Sequence, residues 1–235
     1  RRRRGGEVSG GQMQTGDKER ILARIEEEWL IAILRGDTAE ETEEGCEALI
    51  AGGAALIEIP FTTPGASGVI ERLTRRHGDR IVVSAGTVLT VAQAEEAVAH
   101  GAGAIVSPNL FPPVVEYAVR RGVVSMPGCV TPTEVADALR LGADVIKLFP
   151  CYNVGPEYIG FLQGPYPGIR VAPAGRITLD NMEAYRQAGA FAVIVGVTTE
   201  MQLLDAVKAR DGRRIAETMR RFAAKVEEMR ARRQR

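Results

Sequence analysis

Two charged residues stand inside apolar segments of this sequence. Lys147 lies in "VIKLFP" between Ile146 and Leu148, and Glu58 lies in "LIEIP" between two isoleucines. A lysine amine attacks a carbonyl carbon when the amine is neutral, and an apolar wall disfavours its charged form. The iminium that results accepts electrons when a carbon–carbon bond breaks, and a nearby carboxylate can move the protons. Lys147 and Glu58 are therefore candidates for Schiff-base chemistry.

The alternative for this pair is a buried ion pair that only fills the interior. Such pairs are weak stabilisers at best, so a chemical role is favoured. A metal-dependent reaction is not expected, because the chain has only two histidines, His77 and His100, and both fall near predicted helix ends on the surface. The sequence points to no cofactor and no metal.

The elements that must position this pair follow a regular alternation. Short apolar runs alternate with helical patterns from the first run to the last, and short apolar runs are typical of parallel strands covered on both faces. We predict eight strands, at 29–35, 55–60, 80–86, 104–108, 123–128, 144–150, 169–175 and 191–196.

Eight such units predict an α/β fold of the closed (β/α)8 TIM barrel type. An open doubly wound sheet is the alternative, but its Gly-rich fingerprint is not found after the first strand, which ends "LRGDT". An extra N-terminal helix is predicted at about 17–28, and an amphipathic final helix at 212–235. Residues 1–16 are basic and Gly-rich and are predicted to form a disordered tail, which leaves 17–235 as a single domain.

The active site of such a barrel is built where its strands end. Glu58 and Lys147 approach the ends of the second and sixth strands, and both are expected to face the barrel mouth. The other residues at or just after strand ends are Arg35, Thr87, Pro108, Thr131, Gly175, Arg176 and Gly196.

The bulk composition excludes some partners. The 235 residues carry a formal net charge of zero, so nothing points to nucleic acid or to an anionic membrane surface. No apolar run approaches the roughly 18 residues of a membrane span. The three cysteines, Cys46, Cys129 and Cys151, are an odd number without metal-ligand spacing, which favours a reducing cytoplasm and packing as small apolar residues.

Several segments resemble one known family, in order, over about residues 20–200. They are "AILRG" at 32–36, "IEIPFTTP" at 57–64, "AGTVLT" at 85–90, "IVSPN" at 105–109, "PGCVTPTE" at 127–134 and "IKLFP" at 146–150. They are similar to the class I aldolases of 2-keto-3-deoxy-6-phosphogluconate, its galactonate counterpart and 4-hydroxy-2-oxoglutarate.

The resemblance implies a TIM barrel, usually a homotrimer, that needs no metal and acts on pyruvate and an aldehyde. It implies that Lys147 is the Schiff-base lysine and that Glu58 is the general acid and base. It also implies that Arg35 faces the anionic substrate and that the pyruvate pocket is lined by Thr87, Pro108 and Phe149.

One region departs from the family pattern. Relatives commonly have a Gly-Gly pair after the seventh strand, whose amides help to hold the substrate phosphate, and a Gly-Ser pair after the eighth. Here the residues are Gly175-Arg176 and Gly196-Val197. The Arg176 guanidinium could bind an anion or could point to solvent or an interface. Our hypothesis is that the pyruvate half is retained and that the aldehyde half is not glyceraldehyde 3-phosphate.

Two other functions stay open at this point. A decarboxylase of the oxaloacetate type would use the same iminium. A non-catalytic barrel, kept as a scaffold or engineered as a trimeric assembly subunit, would retain Lys147 and Glu58 as relics.

Overall fold

The computed structural model of the protein describes residues 15–233. The predicted tail, residues 1–16, lies outside these residues apart from its last two positions, which begin the first helix. The strands are β1 (Leu30–Ile33), β2 (Leu56–Pro60), β3 (Val82–Gly86), β4 (Ala104–Val106), β5 (Val124–Met126), β6 (Gly128–Cys129), β7 (Ile146–Leu148), β8 (Val171–Pro173) and β9 (Val193–Gly196).

The helices alternate with these strands, as the sequence predicts. They are α1 (Thr15–Glu28), α2 (Ala39–Ala51), α3 (Ala66–His77), α4 (Val91–Ala99), α5 (Pro112–Arg121), α6 (Pro132–Arg140), α7 (Glu157–Gln163), α8 (Met182–Gln187), α9 (Leu204–Lys208) and α10 (Gly212–Arg233). Among residues 15–233, none of the helices has the length and apolarity needed to cross a membrane.

Local signals explain where several helices begin. The Thr38 hydroxyl accepts a hydrogen bond from the Glu41 N–H at 3.1 Å and so caps α2. Thr131 caps α6, and the Glu134 carboxylate accepts in return from the Thr131 N–H, which completes a capping box. His77 ends α3, but its ring packs against Glu47 instead of lying in solvent.

All strand pairs are parallel, and they form two sheets. The first has the order β5-β4-β3-β2-β1-β9, and the second has the order β6-β7-β8. The predicted fifth strand, 123–128, is divided at Pro127, because proline has no N–H to donate to a sheet ladder. The observed architecture is therefore a parallel α/β fold with two sheets.

Along strands such as β1, β2 and β4, side chains alternate between two apolar clusters. Ile57, Ile59 and Leu148 point outward and pack with the helices. Ile31 and Leu56 point inward and join a second cluster. Because side chains in a strand alternate with a period of two, Glu58 and Lys147 must point inward.

The first helix packs on the inner apolar cluster, and the last helix packs on the outer layer of helices. Ile21, Leu22 and Ile25 of α1 belong to the inner cluster, so the N-terminal helix covers one end of the sheets. α10 packs on α2, and its predicted apolar face is buried, which confirms the amphipathic final helix. The residues of this face are Ile215, Met219, Phe222, Val226 and Met229.

Candidate active site

Lys147 occupies the middle of β7 with its side chain directed inward. The residue is only 5% exposed. Its Nζ lies 3.4 Å from Oε1 of Glu58 and 5.6 Å from the centroid of the Phe149 ring. The strand therefore holds an amine against one carboxylate oxygen and one aromatic face, in surroundings from which water is mostly excluded.

Glu58 supplies the matching carboxylate from β2. The residue is 1% exposed, and its second oxygen, Oε2, is buried without a hydrogen-bond partner among the described residues. A buried carboxylate oxygen that lacks a partner is costly, and active sites are where such costs are tolerated. The contact between Glu58 and Lys147 is thus made through the other carboxylate oxygen, Oε1.

Gly86, at the end of β3, makes room for this carboxylate. A Cβ at position 86 would lie 2.7 Å from Cγ and 2.8 Å from Cδ of Glu58, closer than real Cβ contacts. Ser84 pairs with Glu58 in the β2–β3 register and is also buried. Neither residue was identified from the sequence, although both lie on inward-facing positions of β3, the strand next to β2.

Lys147 also lines a cavity of about 160 Å³ at the ends of the strands. Four predicted site residues line the same cavity, namely Arg35, Phe149, Gly175 and Gly196. Thr87, Pro108, Glu58 and Arg176 do not line it. Arg35 is exposed and has no ion-pair partner within the part of the chain that the structure describes, which leaves its guanidinium available to an anion.

Thr87 and Pro108 stand at the ends of β3 and β4. Thr87 has φ of 52°, a left-handed conformation that is rare for a β-branched residue and is mostly tolerated at functional positions. The backbone at Pro108 abuts β6, since a Cβ at Gly128 would lie 2.7 Å from the Asn109 nitrogen and closer still to the Pro108 carbonyl. These two residues therefore follow β3 and β4 at the carboxyl ends of the strands.

The loops after β8 and β9 form the far wall of the cavity. Arg176 has φ of 56°, and its guanidinium carbon lies 4.4 Å from the centroid of the Tyr152 ring. The Arg176 N–H donates to Oε1 of Glu200 at 2.8 Å, and the Gly196 N–H donates to Oε2 of the same residue at 3.0 Å. Glu200 was missed in the sequence, where it is one polar residue in the run "VTTEMQ".

The cysteines near the site are not activated as nucleophiles. Burial raises the pKa of the Cys129 thiol to about 12, and burial also raises the pKa of Cys151, whose Sγ lies 3.0 Å from the Gly175 carbonyl oxygen. A thiol with a raised pKa holds little thiolate near neutral pH. Thr131, which follows the fifth strand, serves as a helix cap instead of lining the cavity.

Across residues 15–233 there is no group of three or more His, Cys, Asp or Glu side chains arranged to hold a metal ion. A larger cavity, of about 750 Å³, lies elsewhere and is lined by residues such as Glu26, Trp29 and Met229. It contains neither Lys147 nor Glu58, so it offers no comparable chemistry.

The fold and the buried Lys147–Glu58 pair define the class as a parallel α/β protein in which a lysine amine borders a cavity. A family model described as "KDPG and KHG aldolase" matches residues 21–218. The chain belongs to this aldolase family and is a carbon–carbon lyase.

Individual relatives agree with this assignment. The chain is 37% identical over 161 residues to the 2-dehydro-3-deoxy-6-phosphogalactonate aldolase of Escherichia coli K12, covering 68% of this chain and 78% of that protein. A solved structure described as native KDPGal aligns with a TM-score of 0.77 at 33% identity, over 85% of this chain and 95% of the other. A solved structure of the KDPG aldolase of Legionella pneumophila contains pyruvate captured as a covalent carbinolamine intermediate. It aligns with a TM-score of 0.77 at 25% identity, over 89% of this chain and 98% of the other.

Proposed function

We propose that this protein is a class I, pyruvate-dependent aldolase with Lys147 as its nucleophile and Glu58 as its general acid and base. Its reaction is the reversible cleavage of a 2-keto-3-deoxy sugar acid, or of a 4-hydroxy-2-oxo acid, to pyruvate and an aldehyde. The observation that carries the proposal is the Lys147 amine, buried in β7, 3.4 Å from the Glu58 carboxylate and open to a cavity.

The chemistry follows from these two side chains. Lys147 Nζ attacks the keto carbon of the substrate, and loss of water from the carbinolamine gives an iminium. Glu58 removes the proton from the hydroxyl two carbons away, the carbon–carbon bond breaks, and its electron pair moves into the iminium to give an enamine. Protonation of the enamine and hydrolysis then release pyruvate and restore the amine. The Legionella pneumophila relative was captured with pyruvate as a covalent carbinolamine, the kind of intermediate that precedes the iminium in this reaction.

The remaining site residues would bind the two ends of the substrate. Arg35, whose guanidinium has no ion-pair partner among residues 15–233, lines the cavity and suits the substrate carboxylate. Thr87, Pro108 and Phe149 are proposed to line the pyruvate half. Gly175 and Gly196, which line the cavity, and Arg176, which follows Gly175 in the chain, are proposed to face the aldehyde half.

The architecture is proposed to be a closed (β/α)8 TIM barrel with α1 as its extra N-terminal helix, forming one domain over residues 17–235. Closure is supported at both junctions of the two sheets. Ala174, just after β8, pairs with Ile194 of β9. At the other junction the Val145 N–H donates to the Ser125 carbonyl at 3.2 Å, and Pro127 joins β5 to β6 along the chain.

We further propose a cytoplasmic homotrimer that acts in carbohydrate metabolism. Cys46, Cys129 and Cys151 are buried and unpaired, which suits a reducing compartment. Phe161 of α7 is 75% exposed, and a large exposed aromatic residue favours a contact between subunits. The number of three subunits comes from the family resemblance, and analytical ultracentrifugation measures it.

Product analysis tests the function. The protein is incubated with 2-keto-3-deoxy sugar acids and, separately, with oxaloacetate, and pyruvate, aldehyde and carbon dioxide are quantified. Equal amounts of pyruvate and aldehyde from the sugar acids are expected. Carbon dioxide and pyruvate from oxaloacetate alone would instead identify an iminium decarboxylase, and no product from either would indicate a scaffold.

A further inference from the structure

The Glu200 carboxylate accepts hydrogen bonds from backbone N–H groups of the loops that form the far wall of the cavity. One carboxylate oxygen accepts from the Arg176 N–H at 2.8 Å, and the other accepts from the Gly196 N–H at 3.0 Å. The Thr199 hydroxyl also donates to this carboxylate. Two backbone amides that converge on one point would suit a substrate anion, and here a side chain of the protein satisfies both.

The position of the Glu200 carboxylate depends on Gly196. A Cβ at position 196 would collide with Oε2 of Glu200 and with the Thr199 hydroxyl, so only glycine leaves space for the carboxylate against the backbone. Gly196, Thr199 and Glu200 line the same cavity as Lys147 and Arg35. The carboxylate therefore faces the space that any substrate attached to Lys147 must share.

This arrangement limits both the charge and the size of the substrate group that the far wall can accept. A phosphate or carboxylate at the far wall would meet the negative charge of Glu200 and would find the Arg176 and Gly196 amides already bonded. The Arg176 guanidinium is held over the Tyr152 ring. The cavity of about 160 Å³ is also smaller than a typical small-molecule site of about 300 Å³ or more.

We propose that Glu200 determines the substrate class of this enzyme by rejecting a distal anion. The aldehyde half that fits is uncharged and carries hydroxyl groups, which can donate hydrogen bonds to the Glu200 carboxylate. The substrate is then a 2-keto-3-deoxy sugar acid without a phosphate. This inference rests on the proposed aldolase function, and it concerns only the end of the substrate remote from Lys147.

The test compares two substrates that differ only in the distal group, 2-keto-3-deoxygluconate and its 6-phosphate. We expect wild-type kcat/KM to favour the unphosphorylated acid by at least about ten-fold, because like charges brought together are costly. Glu200→Ala frees both amides, and Glu200→Gln removes only the charge. Each is expected to raise kcat/KM for the phosphate relative to the unphosphorylated acid by at least about ten-fold.

Controls separate this inference from the function on which it rests. Glu217→Gln, on the exposed face of α10, should leave the ratio of the two kcat/KM values unchanged. Borohydride trapping of pyruvate is measured for every protein. If pyruvate is trapped but wild type prefers the phosphate, or if the ratio is unchanged in both Glu200 variants, the role of Glu200 is overturned. If pyruvate is trapped on no protein, the proposed function fails instead. Should Glu200→Ala fail to fold, Glu200→Gln and the wild-type preference still decide.

Discussion

Nζ of Lys147 and Oε1 of Glu58 lie 3.4 Å apart in the interior, although the two residues are 89 positions apart in the chain. They come from β7 and β2, strands of two different sheets. Desolvation of both charges offsets much of their attraction, so the pair adds little to stability. Its chemistry explains its presence better than its contribution to folding does.

Replacing the pair separates these two contributions. Glu58→Leu alone should lower the free energy of unfolding by about 3–5 kcal/mol, because it leaves the Lys147 charge buried and unpaired. Glu58→Leu with Lys147→Met should restore the free energy of unfolding to the wild-type value or up to about 4 kcal/mol above it. Both proteins should have lost all cleavage activity. Urea unfolding and steady-state kinetics measure the two effects.

The exposed pair Arg213–Glu217 provides the matched control, and its double replacement by alanine should change stability by less than about 1 kcal/mol. A Glu58–Lys147 double variant less stable than Glu58→Leu alone would contradict the functional interpretation of the pair.

The space that Gly86 leaves for Glu58 should be needed for catalysis. In Gly86→Ala the new methyl group overlaps the Glu58 carboxylate, and displacement of a catalytic group by about 1 Å costs on the order of 10² in rate. We expect kcat to fall by about that factor, at a stability cost of about 1–3 kcal/mol from overpacking.

Gly160→Ala is the control for this change. Position 160 lies in α7, and a Cβ there would meet nothing within 4 Å. Alanine should stabilise the helix by about 0.5–1 kcal/mol and leave kcat unchanged. Equal kcat values for the Gly86→Ala and Gly160→Ala proteins would show that the position of Glu58 is not critical.

The capping box of α6 should make stability depend on pH. Hydrogen bonds from the Thr131 and Val130 N–H groups lower the pKa of Glu134 below its usual value. A carboxyl whose pKa is lower in the folded state stabilises above its unfolded pKa of about 4.3, and this contribution is lost as the pH falls through the folded pKa.

Glu134→Gln keeps the capping geometry and removes the charge. At pH 7 it should cost about 0.3–1 kcal/mol, the usual value for a carboxylate in the first turn of a helix. The difference from wild type, measured by urea unfolding, should shrink steadily below about pH 5. A difference in the free energy of unfolding that grows toward low pH would contradict this prediction. Glu116→Gln, on the exposed side of α5, serves as the control.

The sequence predicted the features that depend on local periodicity. Alternation along β2 and β7 placed Glu58 and Lys147 on the inward face, and the structure agrees. The apolar face of α10 was also predicted correctly, because helical spacing is a local signal. The closed barrel, the homotrimer and the role of each site residue stay predictions.

Features that depend on contacts between distant segments were not predictable. The Glu200 carboxylate accepts a hydrogen bond from the N–H of Arg176, which lies on another loop with φ of 56°. A single sequence does not reveal that conformation. The space at Gly86 likewise exists only once β3 lies beside β2.

Borohydride reduction in the presence of pyruvate, followed by peptide mass mapping, tests the central claim most directly. We expect a reduced three-carbon adduct on Lys147 in wild type, none in Lys147→Met, and wild-type levels in the Gly160→Ala control. An adduct on a different lysine, or a folded wild-type protein that carries none, would contradict the assignment of Lys147 as the Schiff-base nucleophile.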